Sequence, residues 1–302
     1  MAGEEVLLID AFSQIFRAYY AIRSLSNSRG EPTNAVFVFT RLLLKLQQEF
    51  PGRRGALLFD CGRVAFRQEL APDYKANRPP MPEDLSVQVP VIREMAEAFG
   101  WPLLEEPEYE ADDLIAAIAR AVSGPVRIIS SDKDLAQLVD ERVRMLVPDR
   151  KNTGFEERDA AKVVEKFGVV PELLVDYLAL LGDSSDNIPG VPGVGQKTAA
   201  LILNTLGPAE TWLADPGVLA GSRYREKLEP FFDRIENNRR LIRLRDDLPS
   251  RFDDLETVLR RRKPDWEKIR GLCEKTELRS ILRELPSGTA PAAEELEQGE
   301  LF

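Results

Sequence analysis

The stretch Glu5-Val6-Leu7-Leu8-Ile9-Asp10 is a short apolar run that ends in an acid. A continuous apolar run of this length is typical of a strand that is buried on both faces of a sheet. Residues 54–60 and 126–130 repeat the pattern. Shorter strands are predicted at 102–105 and 142–147.

Between these strands the apolar residues recur at helical spacing, which predicts helices over residues 12–22, 35–50, 87–99 and 111–122. Strands that alternate with helices favour an α/β fold, in which helices cover both faces of a central parallel sheet. Ligands bind such sheets outside the carboxyl ends of the strands.

The pattern changes after about residue 155, where strands end and helices separated by Gly and Pro dominate. We therefore predict a first domain over residues 1–170 and an all-α domain over residues 171–286. Residues 287–302 have the composition of a flexible acidic tail.

The amino-acid composition limits which catalytic groups and metal ions the protein can use. Histidine is absent from the 302 residues, and only Cys61 and Cys273 carry thiols. These counts exclude His-based acid–base catalysis, a disulfide framework and a zinc site. A metal here would be a hard cation held by oxygen, namely magnesium, manganese or calcium.

The net charge and the N-terminal sequence indicate which partners the protein can bind and where in the cell it is found. The net charge of −10 argues weakly against nucleic acid, although an acidic cluster would lower it without removing a local basic groove. There is neither a signal-like N-terminus nor an apolar stretch of the ~20 residues that span a bilayer. The sequence predicts a cytoplasmic protein.

Three predicted strands run into an aspartate, at Asp10, Asp60 and Asp132. Because the carboxyl ends of parallel strands share one edge of the sheet, we expect these acids to converge. Six more acids are candidates. Asp134 follows Asp132 after a strand, Glu110, Asp112 and Asp113 stand at the start of the predicted helix 111–122, and Asp183 and Asp186 lie in a Gly-rich turn. Any single one is more often a helix cap or a solvated charge, and Asp113 could be only a cap. Several like charges at close range repel, however, and two divalent cations about 3.5–4 Å apart would offset that repulsion.

The segments that carry these acids include Tyr109-Glu110-Ala111-Asp112-Asp113, Ser131-Asp132-Lys133-Asp134-Leu135 and Gly182-Asp183-Ser184-Ser185-Asp186-Asn187. With Leu7-Leu8-Ile9-Asp10, Phe59-Asp60 and the stretch 66–79, they resemble in order and spacing the 5′-nuclease family, up to about residue 285. That family includes the N-terminal domain of bacterial DNA polymerase I, phage 5′-exonucleases and flap endonucleases.

The resemblance implies a PIN-like (FEN-like) nuclease domain with a helical arch, followed by an all-α helix–hairpin–helix domain. It also implies two Mg²⁺ or Mn²⁺ ions, held directly or through water by nine acids. By position these acids are Asp10, Asp60, Glu110, Asp112, Asp113, Asp132, Asp134, Asp183 and Asp186.

A polar, basic stretch spans residues 63–84, which we name the arch segment. Its basic residues and its tyrosine are typical of a site that binds a frayed single strand, because cations bind phosphates and Tyr stacks on a base. A solvated, mobile loop is the more frequent meaning of such a run. The resemblance favours an arch that passes the 5′ end, with Lys75 and Arg67 on the scissile phosphate. The other DNA-binding residues predicted here are Arg63, Tyr74 and Arg78.

Residues 188–200 are Gly-rich and then helical, which predicts a helix–hairpin–helix rather than a plain tight turn. Glycines let the backbone approach a phosphate, and N–H groups at the next helix N-terminus receive it. The DNA-binding residues predicted here are Gly190, Gly193, Gly195 and Lys197. The resemblance adds a potassium ion held by main-chain carbonyls, which by position include Val191 and Val194.

The chain ends Gln298-Gly299-Glu300-Leu301-Phe302. This Gln-x-x-Leu-Phe form is similar to the short peptide by which bacterial replication and repair proteins bind the sliding clamp. Leu301 and Phe302 would fill apolar pockets, with Gln298 completing the motif. The alternative is a frayed end with two chance apolar residues.

The leading hypothesis is a 5′→3′ exonuclease and 5′-flap endonuclease, expected to be a monomer, that acts on DNA flaps, nicks and frayed ends in primer removal and repair. RNA primers annealed to DNA are a further candidate substrate. A second hypothesis is a catalytically silent DNA-binding or clamp-adaptor protein on the same fold, against which the intact acidic set argues. A third, a small single-strand ribonuclease, would need neither the arch nor the hairpin.

Overall fold

A six-stranded sheet forms the centre of the computed structural model, which describes residues 3–52, 54–62, 64–149 and 154–286. The strands lie in the order β3-β2-β1-β4-β5-β6. The first five are parallel, and β6 runs antiparallel to β5 at one edge. The bounds are β1 Val6–Asp10, β2 Gly55–Leu58, β3 Leu103–Leu104, β4 Val126–Ile129, β5 Val143–Pro148 and β6 Phe155–Arg158. The predicted central sheet is confirmed, but β6 was not foreseen.

Helices cover both faces of this sheet and then continue alone. Those of the first half are α1 Ala11–Ala21, α2 Asn34–Glu49, α3 Ala65–Leu70, α4 Glu83–Ser86, α5 Val89–Ala98, α6 Ala111–Ala121 and α7 Ala160–Phe167. The second half has α8 Leu174–Leu181, α9 Gln196–Leu206, α10 Ala209–Ala214, α11 Arg225–Leu228, α12 Phe232–Ile242, α13 Leu255–Val258, α14 Trp266–Lys275 and α15 Arg279–Glu284. A two-residue ladder, β7 Gly182–Asp183 with β8 Ile188–Pro189, links α8 to α9.

Strand β1 separates two apolar cores. Val6 and Leu8 pack into the core that contains α6, α8, α9 and α12, whereas Leu7 and Ile9 pack into the core that contains α1, α2 and α5. This division follows from the pleat, since successive side chains of a strand point to opposite faces. Residues 6–9 of β1 therefore pack into both apolar cores, one on each face of the sheet. The last residue of the strand, Asp10, lies at the carboxyl edge of the sheet.

The end of the described chain returns to the first half. The Gly55 amide donates to the Leu259 carbonyl at 2.8 Å, and the Arg261 guanidinium stacks 3.6 Å from the centroid of the Trp101 ring. Ile269 and Ile281, both fully buried, belong to the same core as α2 and α5. The predicted all-α domain of residues 171–286 therefore does not stand apart over its whole length, because its last helices complete the core beneath the sheet.

In its described residues the arch segment is helical in α3 and at the start of α4, and it packs against the loop between α8 and α9. The Lys75 amide donates to the Asp186 carbonyl at 3.0 Å, and the Asn77 side-chain amide donates to the Ser184 carbonyl at 2.7 Å. Arg63 lies outside the described residues. Among the helices that are described, none is both long and apolar enough to cross a membrane.

Candidate metal centre

The strand-end acids meet at the carboxyl edge of the sheet. Asp10 ends β1 and caps α1: one carboxylate oxygen accepts from the Ser13 amide at 3.1 Å and the other from the Ser130 hydroxyl at 2.8 Å. Asp60, just beyond β2, accepts from the Ala111 amide at the start of α6 at 2.9 Å. The convergence that parallel strands predict is therefore present.

Four acids line one cavity of about 500 Å³ at this edge, and we call them the first acidic cluster: Asp10, Asp60, Asp112 and Asp132. Lys75 and Arg78 of the arch segment line the same cavity. Lys75 also donates to Glu110 at 2.8 Å, which places that fifth acid beside the cluster. Carboxylates and cations from distant parts of the sequence thus face each other across a space that can hold a phosphate group.

A second acidic cluster consists of Asp134, Asp183 and Asp186, each of which offers one oxygen within 4.8 Å of the others. Asp183 ends β7 and Asp186 lies in the turn between β7 and β8, so this cluster joins the sheet to the helical half. Lys133 donates to Asp183 at 2.6 Å, and the Arg78 Nε donates to Asp186 at 3.1 Å. These ion pairs offset part of the repulsion between the three carboxylates.

Carboxylates in both clusters have raised pKa values, which is the effect expected where negative charges lie close together without enough positive charge to balance them. Burial, with help from Asp60 and Asp132, raises the pKa of Asp10 to about 7, and burial with the Asp132 charge does the same for Asp134. Burial and the neighbouring Asp132 also hold the pKa of Asp112 well above its ordinary value. In Asp112 and Asp134, the Oδ1 atom is buried and has no hydrogen-bond partner. Unpaired carboxylate oxygens of this kind fit divalent cations.

We expect metal binding to depend on pH with a definite sign. In the metal-free protein, Asp10 and Asp134 keep their protons up to pH about 7. Their contribution to stability is therefore present at low pH and is lost as pH rises through about 7. A cation must displace those protons, so Mg²⁺ should raise Tm by several degrees more at pH 8 than at pH 6. Differential scanning fluorimetry at both pH values measures this difference, and equal shifts would contradict the expectation.

Arg67 and Asp113 form a buried pair. Asp113 is fully buried, and one oxygen accepts from Arg67 at 2.7 Å, while the other accepts from the Glu110 amide at 3.3 Å. Arg67 is 1% exposed and also donates to the Leu241 carbonyl at 3.0 Å. Asp113 is therefore a helix cap and ion-pair partner in this structure, and Arg67 is not among the residues that line the cavity of the first acidic cluster. The metal-ligand role predicted for Asp113 and the phosphate contact predicted for Arg67 gain no support from these contacts and stay predictions.

Lys75, in contrast, lines the cavity of the first acidic cluster. Its φ of 55° is unusual for a residue with a side chain, and such backbone strain often accompanies functional sites. Burial alone would lower the pKa of Lys75, but the charges of Glu110 and Asp186 outweigh it, so the pKa is raised. Tyr74 is 6% exposed and contacts Glu110 through its hydroxyl at 3.3 Å, so in this structure its ring is not open for stacking on a base.

Two residues that the sequence reasoning missed support the clusters. The Ser130 hydroxyl is fully buried, donates to Asp10 and accepts from the Asp132 amide at 3.0 Å. Lys133 is the partner of Asp183. The position of Ser130 at the end of a predicted strand, directly before the acidic segment, was the signal that could have found it.

The predicted hairpin follows β8. Gly190 is required by packing, since a Cβ there would lie 2.1 Å from the Leu181 carbonyl oxygen. Gly193, Gly195 and Lys197 are exposed at the start of α9. The Val191 carbonyl accepts from the Val194 amide at 3.0 Å, while the Gly193 carbonyl accepts from Lys227 at 3.2 Å. The potassium site predicted at Val191 and Val194 stays a prediction.

Comparisons with known proteins place the chain. Residues 5–168 match the family described as 5′-3′ exonuclease, N-terminal resolvase-like domain, and residues 169–267 match 5′-3′ exonuclease, C-terminal SAM fold. A protein named 5′-3′ exonuclease from Aquifex aeolicus is 38% identical over 92% of this chain and 94% of its own length. The chain belongs to the 5′-3′ exonuclease family, as the sequence resemblance predicted.

Other relatives are longer, and solved structures share the fold. The thermostable DNA polymerase I of Thermus thermophilus is 38% identical over 95% of this chain, which spans 34% of the length of that relative. The T5 5′-exonuclease with bound zinc is 20% identical over 91% of this chain and 98% of its own, with a TM-score of 0.66. The catalytic core of Rad2 in complex with DNA substrate is 18% identical over 95% of this chain and 93% of its own, with a TM-score of 0.61.

Proposed function

We propose that the protein is a structure-selective 5′→3′ exonuclease and 5′-flap endonuclease that hydrolyses DNA phosphodiester bonds with two Mg²⁺ or Mn²⁺ ions. The observation that carries the proposal is the first acidic cluster, in which acids from four separate segments face Lys75 and Arg78 across one cavity. Maintaining these like charges costs stability in the metal-free protein, and a silent DNA-binding protein would gain nothing from them.

The two clusters divide the proposed metal ligands. The first acidic cluster with Glu110 would hold one cation, and Asp134, Asp183 and Asp186 would hold the other. Such cations, when bound, polarise the phosphate and lower the pKa of a coordinated water, so that no histidine is needed. Eight of the nine acids that the family resemblance implies are thus assigned to the two cations, and Asp113, which is engaged by Arg67 and backbone amides, stays a predicted ligand.

The chain's own residues orient the substrate. Lys75 and Arg78 receive the scissile phosphate at the rim of the cavity, and Lys75 stabilises charge as it develops on the phosphate oxygens. The exposed start of α9, with Gly193, Gly195 and Lys197, anchors the duplex by phosphate contacts. These contacts carry no sequence information, so the protein selects the shape of the DNA. The products are a 5′-phosphate and a 3′-hydroxyl.

Cleavage of a labelled duplex with a 5′ flap, with Mg²⁺ and with EDTA, tests the proposal. The expected result is release of the flap strand only with the divalent cation. If the protein binds the flap and never cuts under Mg²⁺ or Mn²⁺, the silent DNA-binding alternative replaces the proposal. An RNA–DNA primer junction in the same assay shows whether the substrate class extends to primers.

We also propose the cellular role, oligomeric state and domain organisation of the protein. The protein acts as a monomer in the cytoplasm, in primer removal and repair, and residues 1–170 with the arch segment form its nuclease domain. Its helix–hairpin–helix carries a potassium ion that supports duplex binding.

The last residues, which lie outside the described part of the chain, are proposed to bind the sliding clamp. The sequence Gln298-Gly299-Glu300-Leu301-Phe302 and its flexible linker composition support this. We expect replacement of Leu301 and Phe302 by alanine to weaken clamp binding at least tenfold, because the apolar anchors are lost. Titration of purified clamp measures the affinity, flap cleavage without clamp is the control, and equal affinities would refute the idea.

A further inference from the structure

A short segment made of the last two residues of α12 and the five that follow, residues 241–247, crosses from the helical half to the turn that begins α6. We name it the strap. Within it, Arg245 contacts the α6 turn at several points: Nη1 donates to the Glu108 carbonyl at 3.1 Å, and Nη2 donates to the Tyr109 hydroxyl at 2.8 Å. Its guanidinium also lies 3.8 Å from the centroid of the Tyr109 ring. The strap thus holds the two residues directly before Glu110.

Asp247, in the same strap, binds both Arg245 and Tyr109. It accepts from the Arg245 Nε at 3.0 Å and from the Tyr109 hydroxyl at 2.6 Å. The hydrogen bond from Arg245 holds the pKa of Asp247 well below its usual range, so the pair stays charged at neutral pH. Because the Asp247 side chain is 60% exposed, the pair itself adds little to global stability. Its geometric effect on the α6 turn is the larger consequence.

The other side of Glu110 is held as well. The Arg245 amide donates to Asp113 at 3.0 Å, and Asp113 accepts from the Glu110 amide. Arg67, the buried partner of Asp113, donates to the Leu241 carbonyl at the start of the strap. Both ends of the strap therefore connect to the turn that carries Glu110 and Asp112.

We propose that Arg245 is a positioning residue: through the strap it fixes the 108–113 turn, so that Glu110 and Asp112 point into the first acidic cluster and bind the cation there. This inference rests on the proposed function. Neither Arg245 nor Asp247 lines the cavity of the first acidic cluster. Groups that orient metal ligands from behind typically change metal affinity by about 10–100-fold when removed.

The test replaces Arg245 by alanine and titrates the folded protein with Mg²⁺ alone in a calorimeter. We expect the affinity for Mg²⁺ to fall about tenfold and the single-turnover rate of flap cleavage at subsaturating Mg²⁺ to fall with it, while the affinity for flap DNA in EDTA is unchanged. Arg243→Ala is the matched control, because Arg243 is an exposed strap residue whose side chain makes no hydrogen bond or ion pair within the described ranges. A purely structural role would lower Tm without changing the affinity of the folded protein for Mg²⁺.

A double substitution separates the outcomes. If Arg245 acts through Glu110, then Arg245→Ala should cause little further loss of Mg²⁺ affinity in a Glu110→Gln background, whereas an additive loss would overturn the proposal. Tyr109→Phe, which keeps the ring and removes only the hydroxyl, should weaken Mg²⁺ binding less than Arg245→Ala and serves if the alanine variant does not fold. Unchanged affinity in Tyr109→Phe and Arg245→Ala would refute the inference even if the wild type cuts flaps. A wild type that never cuts would instead refute the proposed function.

Discussion

Replacing Asp112 by asparagine is expected to reduce flap cleavage by about 10³-fold or more and, at the same time, to raise the Tm of the metal-free protein. The loss follows because a metal contributes several kcal/mol to the transition state and each 1.36 kcal/mol is tenfold in rate. The gain follows because burial of the Asp112 carboxylate, together with the charges of Asp132, Asp10 and Asp60, holds its pKa well above the ordinary value. Removing the carboxylate relieves a repulsion that Lys75 offsets only in part in the metal-free protein.

Single-turnover cleavage with Mg²⁺ and thermal melts in EDTA at pH 8 measure the two effects. Asp253→Asn is the matched control, since Asp253 is exposed and belongs to neither acidic cluster, and neither quantity should change. Flap affinity in EDTA should stay the same or rise. An asparagine variant that cuts at the wild-type rate, or that melts well below the wild type without metal, would contradict the proposed role of Asp112.

Replacing Lys75 by methionine is expected to slow the chemical step by about 10²–10³-fold, the typical cost of losing one group that stabilises developing charge. Lys75 contacts Glu110 at 2.8 Å and lines the cavity of the first acidic cluster, so its ammonium lies beside the place of reaction. Methionine keeps most of the side-chain volume and removes the charge. Lys75→Arg, which keeps the charge with a different shape, should recover part of the rate.

The Lys75 prediction is checked by comparing the single-turnover rate at saturating enzyme with flap affinity in EDTA. The rate should fall while the affinity changes by less than about threefold, because other phosphate contacts persist. Lys162→Met on α7, which removes an exposed lysine, should leave both unchanged. If Lys75→Met weakened binding and left the saturated rate intact, Lys75 would be a docking residue instead.

The sheet and its acidic edge could be predicted because they depend on local patterns. A buried parallel strand must be a nearly continuous apolar run, so a polar residue at its end, such as Asp10 or Asp60, stands out in the sequence. The topology then brings such residues together without any knowledge of side-chain contacts. Strand β6 escaped this reasoning because Phe155–Arg158 is short and polar, and an edge strand needs no continuous apolar run.

Pairings between distant residues could not be predicted in this way. Arg67 and Asp113 look like the other cations and acids around them, and only the packing of α3 against α6 makes them a buried pair. Similarly, nothing in the spacing of Lys133 shows that Asp183 is its partner. The family resemblance assigned roles by position, and position alone does not tell an open ligand from a carboxylate that is already bound by protein donors.

The return of the last helices to the first core has a consequence for how this chain folds as it is made. The core residue Trp101 is covered by Arg261, and the same core is completed by Ile269 and Ile281. At about 5–20 residues per second, a ribosome needs on the order of 10–30 s between Trp101 and Ile269. During that interval the face of α2 and α5 lacks its cover and is open to chaperones or to aggregation. The nuclease half, although first in the sequence, therefore becomes native only after nearly all of residues 1–285 has been synthesised.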